Sequence, residues 1–206
     1  MVEESIAIED LWNKLIADGH EIHKHKDYEV IDCNDIKTLT YGNKYVDIRW
    51  LSRHKTPKHL LKIYVKAEVQ NKSYKPSAHI KLDCWPSVTY SKSVTVTTDH
   101  VCMVYNKDHF FENTNAKNLK VGDYVSIYVD KRLHKTVDKE YIGTIVKTED
   151  LGTTDEWVYD LEVEDDMHAF YANDILVHNS QFINLQCVTD FMKKKYNLPK
   201  RIKDWD

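Results

Sequence analysis

The 206 residues suffice for one ordinary domain with a sizeable core, plus a tail. A formal net charge of −4 and a pI of about 6.3 exclude an overall basic field that would draw the chain to nucleic acid. With neither a bilayer-spanning apolar run nor a basic-then-apolar leader, a soluble cytoplasmic protein without membrane contact is expected.

Glycine and proline are few, at five and four, while Tyr, Val, Ile and Thr are plentiful, which favours many strands over helices. In chain order, Met1 to Ile22 reads as a short strand and then a helix from about Ile8. Leu11, Trp12, Leu15 and Ile16 stand at helical spacing, with Gly19 as the stop. From Glu29 to Val69 apolar and polar residues alternate, with turn chemistry at Asn34-Asp35 and Gly42-Asn43, so a series of hairpins is the simplest arrangement. Within it, RHKTPKHLLKI (Arg53 to Ile63) is basic enough for phosphate contact, but a solvated hairpin edge protected by lysines is preferred. Ser93 to Tyr105 is strand-like on both sides of a bend that holds Thr97 and His100. Asn118 to Val125 then places Gly122-Asp123 at a turn. Asp130 to Trp157 is short and polar, with a strand around Ile142 to Lys147. The four cysteines, Cys33, Cys84, Cys102 and Cys187, form no CxxC pair, which argues against a zinc site and against a disulfide framework.

Trp157 to Ser180, WVYDLEVEDDMHAFYANDILVHNS, carries the chemistry. Val158, Tyr159, Leu161 and Val163 alternate as in a half-buried strand, and a second strand at Ile175 to Val177 delivers His178, Asn179 and Ser180 in a row. An Asn amide can attack its own main-chain carbonyl, close a succinimide and break the following peptide bond. The attack is slow unless the carbonyl is polarised and protons are moved. His178 and His168 bring imidazoles for this, and Ser180 brings a hydroxyl that can hold an acyl group as an ester. His-Asn-Ser by itself would be a surface turn.

In its full order this stretch resembles the C-terminal splicing block of inteins: VYDLEV, then His-x-Phe, then Asn-x-Ile-Leu-Val-His-Asn, with Ser opening the host sequence. The bend at Thr97 to His100 is similar to the family's central block, and NLKVGDYV to the turn and strand after it. Read alone, His100 would be a structural histidine. The resemblance implies an all-β, horseshoe-shaped fold shared with hedgehog autoprocessing domains, without metal or cofactor. It also implies roles. Thr97 and His100 hold and protonate the N-terminal scissile peptide, the imidazole titrating near the working pH. Asn179 cyclises, His178 polarises its carbonyl or protonates the leaving group, and His168 deprotonates the amide or relays a proton. Asp160 is similar to the acid that bridges the two ends in many inteins, an exposed strand Asp being the plain alternative. Ser180 accepts the upstream segment as an ester.

The opening resembles the segment after an intein's N-terminal nucleophile, yet no Cys or Ser precedes it here. The expectation is therefore a splicing domain over 1–179 that works in trans, with a short N-terminal intein fragment carrying the Cys or Ser nucleophile as partner. Strand addition would bind that fragment. Between Asp130 and Trp157 there is no room for a homing endonuclease. Residues 180–206, with a helical face of Val188, Phe191 and Met192, read as host sequence similar to a family B DNA polymerase. The alternatives are a truncated domain giving only C-terminal cleavage, or an inert binding module.

Overall fold

Period-two alternation sets the long strands, and the computed structural model describes residues 5–33, 35–55, 57–70, 87–106, 108, 110–129 and 139–179. In chain order they form α1 (Ile8–Ala17), β1 (Ile22–Lys24), β2 (Tyr28–Asp32), β3 (Lys37–Thr40), β4 (Lys44–His54), β5 (Lys58–Gln70), β6 (Ser87–Thr97) and β7 (Val101–Tyr105). Then come β8 (Phe111–Asn115), a 3₁₀ turn (Ala116–Asn118), β9 (Tyr124–Val129), β10 (Lys139–Thr154), β11 (Val158–Val163), β12 (Ala169–Ala172) and β13 (Ile175–His178). The fold is all-β.

Two sheets result. One runs β1-β2-β4-β11, with β3 also on β4; the other runs β12-β13-β7-β9-β10-β5-β6, with β8 on β7. In β5, Ile63, Val65, Ala67 and Val69 are buried while Lys66 and Glu68 are exposed, and the buried set joins Ile127, Val129 and Ile145 in the core of the second sheet. The 16-residue β10 pairs with β9 from Lys139 to Thr144 and with β5 from there to Thr154. Gly143 sits at that exchange of partners, where a Cβ would lie 2.5 Å from Val65 Cγ1 and 2.9 Å from Ile127 Cγ2. Only a glycine lets the three strands approach so closely.

Helix α1 covers the first sheet. Trp12 and Leu15, three residues apart, are buried against Ile31, Leu51, Leu161 and Val163, and Gly19 at φ 89 ends the helix as expected. Arg53 locks this layer: its guanidinium lies between the Trp12 and Trp157 rings, 4.4 and 4.2 Å from their centroids, and donates to Glu29 at 2.6 and 2.8 Å.

The β12–β13 hairpin joins the two halves. It is hydrogen-bonded into the second sheet, yet Phe170 and Val177 pack into the core beneath α1. Its turn, Asn173 and Asp174 with φ of 48 and 65, has the two positive angles of a primed hairpin turn. That turn is pinned by Asn173 Nδ2 donating to the Ser93 carbonyl at 2.5 Å and by Tyr128 N donating to the Asp174 carbonyl at 2.8 Å.

Several expectations need correction. The region 29–69 is not one series of hairpins: β4 ends in the first sheet, and the chain crosses to the second, where β5 lies between β10 and β6. The basic stretch from Arg53 to Ile63 is thus a crossover into a central strand rather than a hairpin edge. Alternation identified the strands, but it carries no information on which sheet each one joins. Residues 5–7 form no strand, and β10 extends well beyond Ile142 to Lys147 on both sides. Asn34, Cys84, Cys187, Ser180, the tail after it and the first four residues lie outside the described residues.

Candidate functional site

Strand β13 carries His178 and Asn179 into the junction of the two sheets, where they are 6% and 1% exposed. A buried Asn must spend its polar atoms on partners. The backbone N of Asn179 donates to the His168 carbonyl at 2.7 Å, and its side-chain Nδ2 donates to Glu162 Oε2 at 2.8 Å. Its Oδ1 is sealed from solvent and has no hydrogen-bond partner among the described residues. The main-chain carbonyl of Asn179 accepts a 2.5 Å hydrogen bond from His178 Nδ1, so that nitrogen carries a proton.

This geometry gathers what ring closure needs. A proton donor sits on the carbonyl under attack, and a carboxylate sits on the attacking amide. Oδ1 also matters: no described residue stabilises negative charge on that oxygen, which leaves the amide lone pair more available on Nδ2.

Glu162 was not among the residues singled out from the sequence; Asp160, two residues earlier, was, as the acid that bridges the two ends. Both lie on one face of β11, opposite the face that buries Leu161 and Val163, and the alternation within VYDLEV carried that signal. Asp160 Oδ1 instead accepts from the Leu161 backbone N at 2.8 Å, and Asp160 pairs in register with Ser52. Burial raises the Glu162 carboxyl above its ordinary range, opposed by the charges of His168 and Arg49.

His168 caps the loop between β11 and β12 in a left-handed conformation, φ 48, its N donating to the Asp165 carbonyl at 2.9 Å. Its ring stands 6.3 Å from that of His178, and its Nδ1 lies 3.9 Å from Glu162 Oε1. The carboxylate thus stands between His168 and the amide. Thr40 supports this loop from β3. Fully buried, it donates through Oγ1 to the Ala169 carbonyl at 2.6 Å, along the outer side of β12.

The Thr97 to His100 bend reaches the same junction from the second sheet. His100 N donates to the Thr97 carbonyl at 3.0 Å, Ala116 N to the His100 carbonyl at 2.8 Å, and Thr98 N to the His59 carbonyl at 2.9 Å. Asp99 is held by the Thr97 hydroxyl and by Lys58 Nζ at 3.1 Å. His100 does not titrate near neutrality, as the sequence suggested it would. Burial, with the charge of the neighbouring His178 adding to it, lowers its pKa to about 4. It is therefore a neutral imidazole at pH 7, and its buried Nε2 has no hydrogen-bond partner among the described residues. Such a group acts by hydrogen bonding, not as a reservoir of protons. Burial likewise pushes the Cys33 and Cys102 thiols up to about 12, which makes them inert packing groups.

No family model matches the chain. It is similar over 85 residues, at 35% identity, to the glutamine–fructose-6-phosphate aminotransferase (isomerizing) of Methanocaldococcus jannaschii; the match covers 41% of the chain and 7% of that protein. Among solved structures it is similar to the TvoVMA intein, with TM-score 0.62 and 19% identity over 86% of this chain and 90% of that one. It is also similar to an intein from a hyperthermophile, with TM-score 0.60 and 16% identity over 84% and 88%. A KlbA intein precursor from Methanococcus jannaschii gives TM-score 0.55 and 19% identity over 87% and 86%. At these identities the likeness shows a common all-β fold.

Proposed function

We propose that this chain is a protein-splicing element that severs the bond after Asn179 by cyclising that residue. The observation that carries the reading is the paired restraint on Asn179: Glu162 on Nδ2 at 2.8 Å and His178 Nδ1 on the residue's own carbonyl at 2.5 Å. A structural Asn needs its side chain satisfied. It needs no imidazole on its own carbonyl, and here Oδ1 is buried without a partner among the described residues. The likeness to intein structures supports the same conclusion independently.

In the full reaction an upstream segment, held as a thioester or ester on a Cys or Ser, passes to Ser180, and Asn179 then cyclises. The freed Ser180 amine next attacks the ester through a five-membered ring, which runs unaided because effective molarity is high and the amide is the more stable product. The nucleophile is a Cys or Ser at the head of a short N-terminal intein segment, and supplied on a separate fragment it would make the reaction trans-splicing. Among the described residues β6 is the terminal strand of its sheet, and it ends at Thr97, so a strand added along its outer edge would lead to the Thr97 to His100 bend. There the Thr97 hydroxyl and neutral His100 hydrogen-bond the scissile peptide. Asp160 would act as base toward the incoming nucleophile or Ser180, the role the resemblance implies. Residues 180–206 belong to the spliced host, with a family B DNA polymerase as the class they are similar to. The chemistry is a single turnover per chain, without metal, cofactor or nuclease step.

The test is to mix the full chain with peptides that join a tagged upstream segment to a Cys- or Ser-led intein start. The reading expects a ligated product joined at Ser180, absent from Ser180→Ala and Asn179→Ala. Neither ligation nor cleavage with any such peptide would reject it.

A further inference from the structure

We propose that Glu162 is the base that takes the proton from Asn179 Nδ2 as the ring closes, and that His168 acts through Glu162 without touching the amide. The proposal rests on Asn179 cyclisation as the function of the site, and it assigns that step's proton acceptor.

A general base must lie within hydrogen-bond reach of the proton it removes. Glu162 Oε2, 2.8 Å from Asn179 Nδ2, meets that condition. His168 does not contact the amide by any hydrogen bond of its ring; its Nδ1 faces the other oxygen of the same carboxylate at 3.9 Å. Asp160 is engaged with the Leu161 N one residue along its own strand.

The step balances with groups already in place. The Nδ2–C bond forms at the Asn179 carbonyl, and the C–N bond to Ser180 breaks. One proton leaves Nδ2 for the Glu162 carboxylate, and His178, as imidazolium, gives its Nδ1 proton to the departing nitrogen. A carboxylate and an imidazolium become a neutral acid and a neutral imidazole, so no net charge appears in the buried site.

Burial also suits Glu162 to the task. At 16% side-chain exposure it is raised above the ordinary carboxyl value of 4.5, which makes it a stronger base than a surface glutamate. The charged and titratable groups that face it are Arg49 from β4 and His168 from the β11–β12 loop, whose ring stands 6.3 Å from that of His178. Arg49 is itself shared, donating to Glu164 at 3.0 Å.

The experiment follows release of the segment after Asn179 from the full chain by mass spectrometry across pH 4 to 9, for wild type, Glu162→Gln, Glu162→Asp and His168→Gln, with thermal unfolding of each. Gln keeps an oxygen for Nδ2 but cannot accept its proton, so Glu162→Gln is expected to be slower by about 10²–10⁴-fold. Glu162→Asp retains measurable cleavage. The wild-type rate falls on the acid side as Glu162 becomes protonated, and Glu162→Gln lacks that limb. His168→Gln moves the limb to higher pH, because the positive charge that held Glu162 down is gone. Wild-type-like cleavage by Glu162→Gln, within a few-fold and with the acid limb intact, would overturn the assignment while leaving the cyclisation reading in place. If Glu162→Gln is unfolded, Glu162→Asp and His168→Gln decide it: an unmoved acid limb in both overturns it. Absence of any Asn179-dependent release from the wild type would overturn both.

Discussion

Thr40 offers a quantitative test of how the loop bearing His168 is held. Replacing it by Val conserves shape and volume, so no cavity opens, but the 2.6 Å hydrogen bond to the Ala169 carbonyl is lost and a methyl group meets that oxygen. Thr40 is fully buried, so water does not replace the hydroxyl. An orphaned buried acceptor costs about 1–3 kcal/mol. For a domain of this size each 1 kcal/mol moves Tm by about 2–4 °C, which predicts a fall of about 2–12 °C for Thr40→Val. Thr40→Ser keeps the donor and loses a single methyl, at about 1 kcal/mol. Because Ala169 follows His168 directly, Thr40→Val should also slow Asn179-dependent cleavage, whereas Thr40→Ser should not. Differential scanning calorimetry and cleavage kinetics on the two variants provide the comparison. A Thr40→Val protein as stable and as fast as Thr40→Ser would refute the role given to this hydroxyl.

Removal of the carbonyl donor by His178→Ala should lower the rate of cleavage after Asn179 by about 10²–10³-fold, read as released peptide over time. Gly143→Ala should destabilise the domain by about 1–3 kcal/mol in urea titration, because its Cβ meets the stiff Val65 and Ile127 side chains where three strands converge. Stability should also depend on pH through His100. Its folded pKa of about 4 lies below the ordinary 6.5, so the contribution is complete above pH 6.5 and is lost as the pH falls toward 4, where only the unfolded chain takes the proton. The loss is on the order of 3 kcal/mol, and the stability profile of His100→Gln should be flatter over that window by the same measure.

The strands were legible because alternation such as Ile63, Val65, Ala67 and Val69 marks a half-buried surface whatever its partner. The helix was legible from Leu11, Trp12, Leu15 and Ile16 with Gly19 behind them. Partnership between strands was not legible: β4 and β5 are adjacent in sequence and alike in pattern, yet they enter different sheets. Strand β12 went unseen because Ala169 to Ala172, buried on its first two residues and half-buried on the rest, shows no alternation. At the site, sequence order placed Asn179 and His178 together, since they are neighbours in the chain. It did not single out Glu162, which shares a strand face with Asp160, because only tertiary packing brings that carboxylate to the amide. Nor could it foresee the neutral state of His100, which follows from burial beside a second histidine.

The central claim is that folding turns the Asn179 amide on its own backbone carbonyl. It is tested most directly by the chemical form of the C-terminus left on the domain once the following segment departs. Cyclisation predicts a terminal succinimide at residue 179, lighter by one water than the hydrolysed acid, and none from Asn179→Ala. Release that leaves only a free acid at that position from the earliest time point, or that persists in Asn179→Ala, would contradict it.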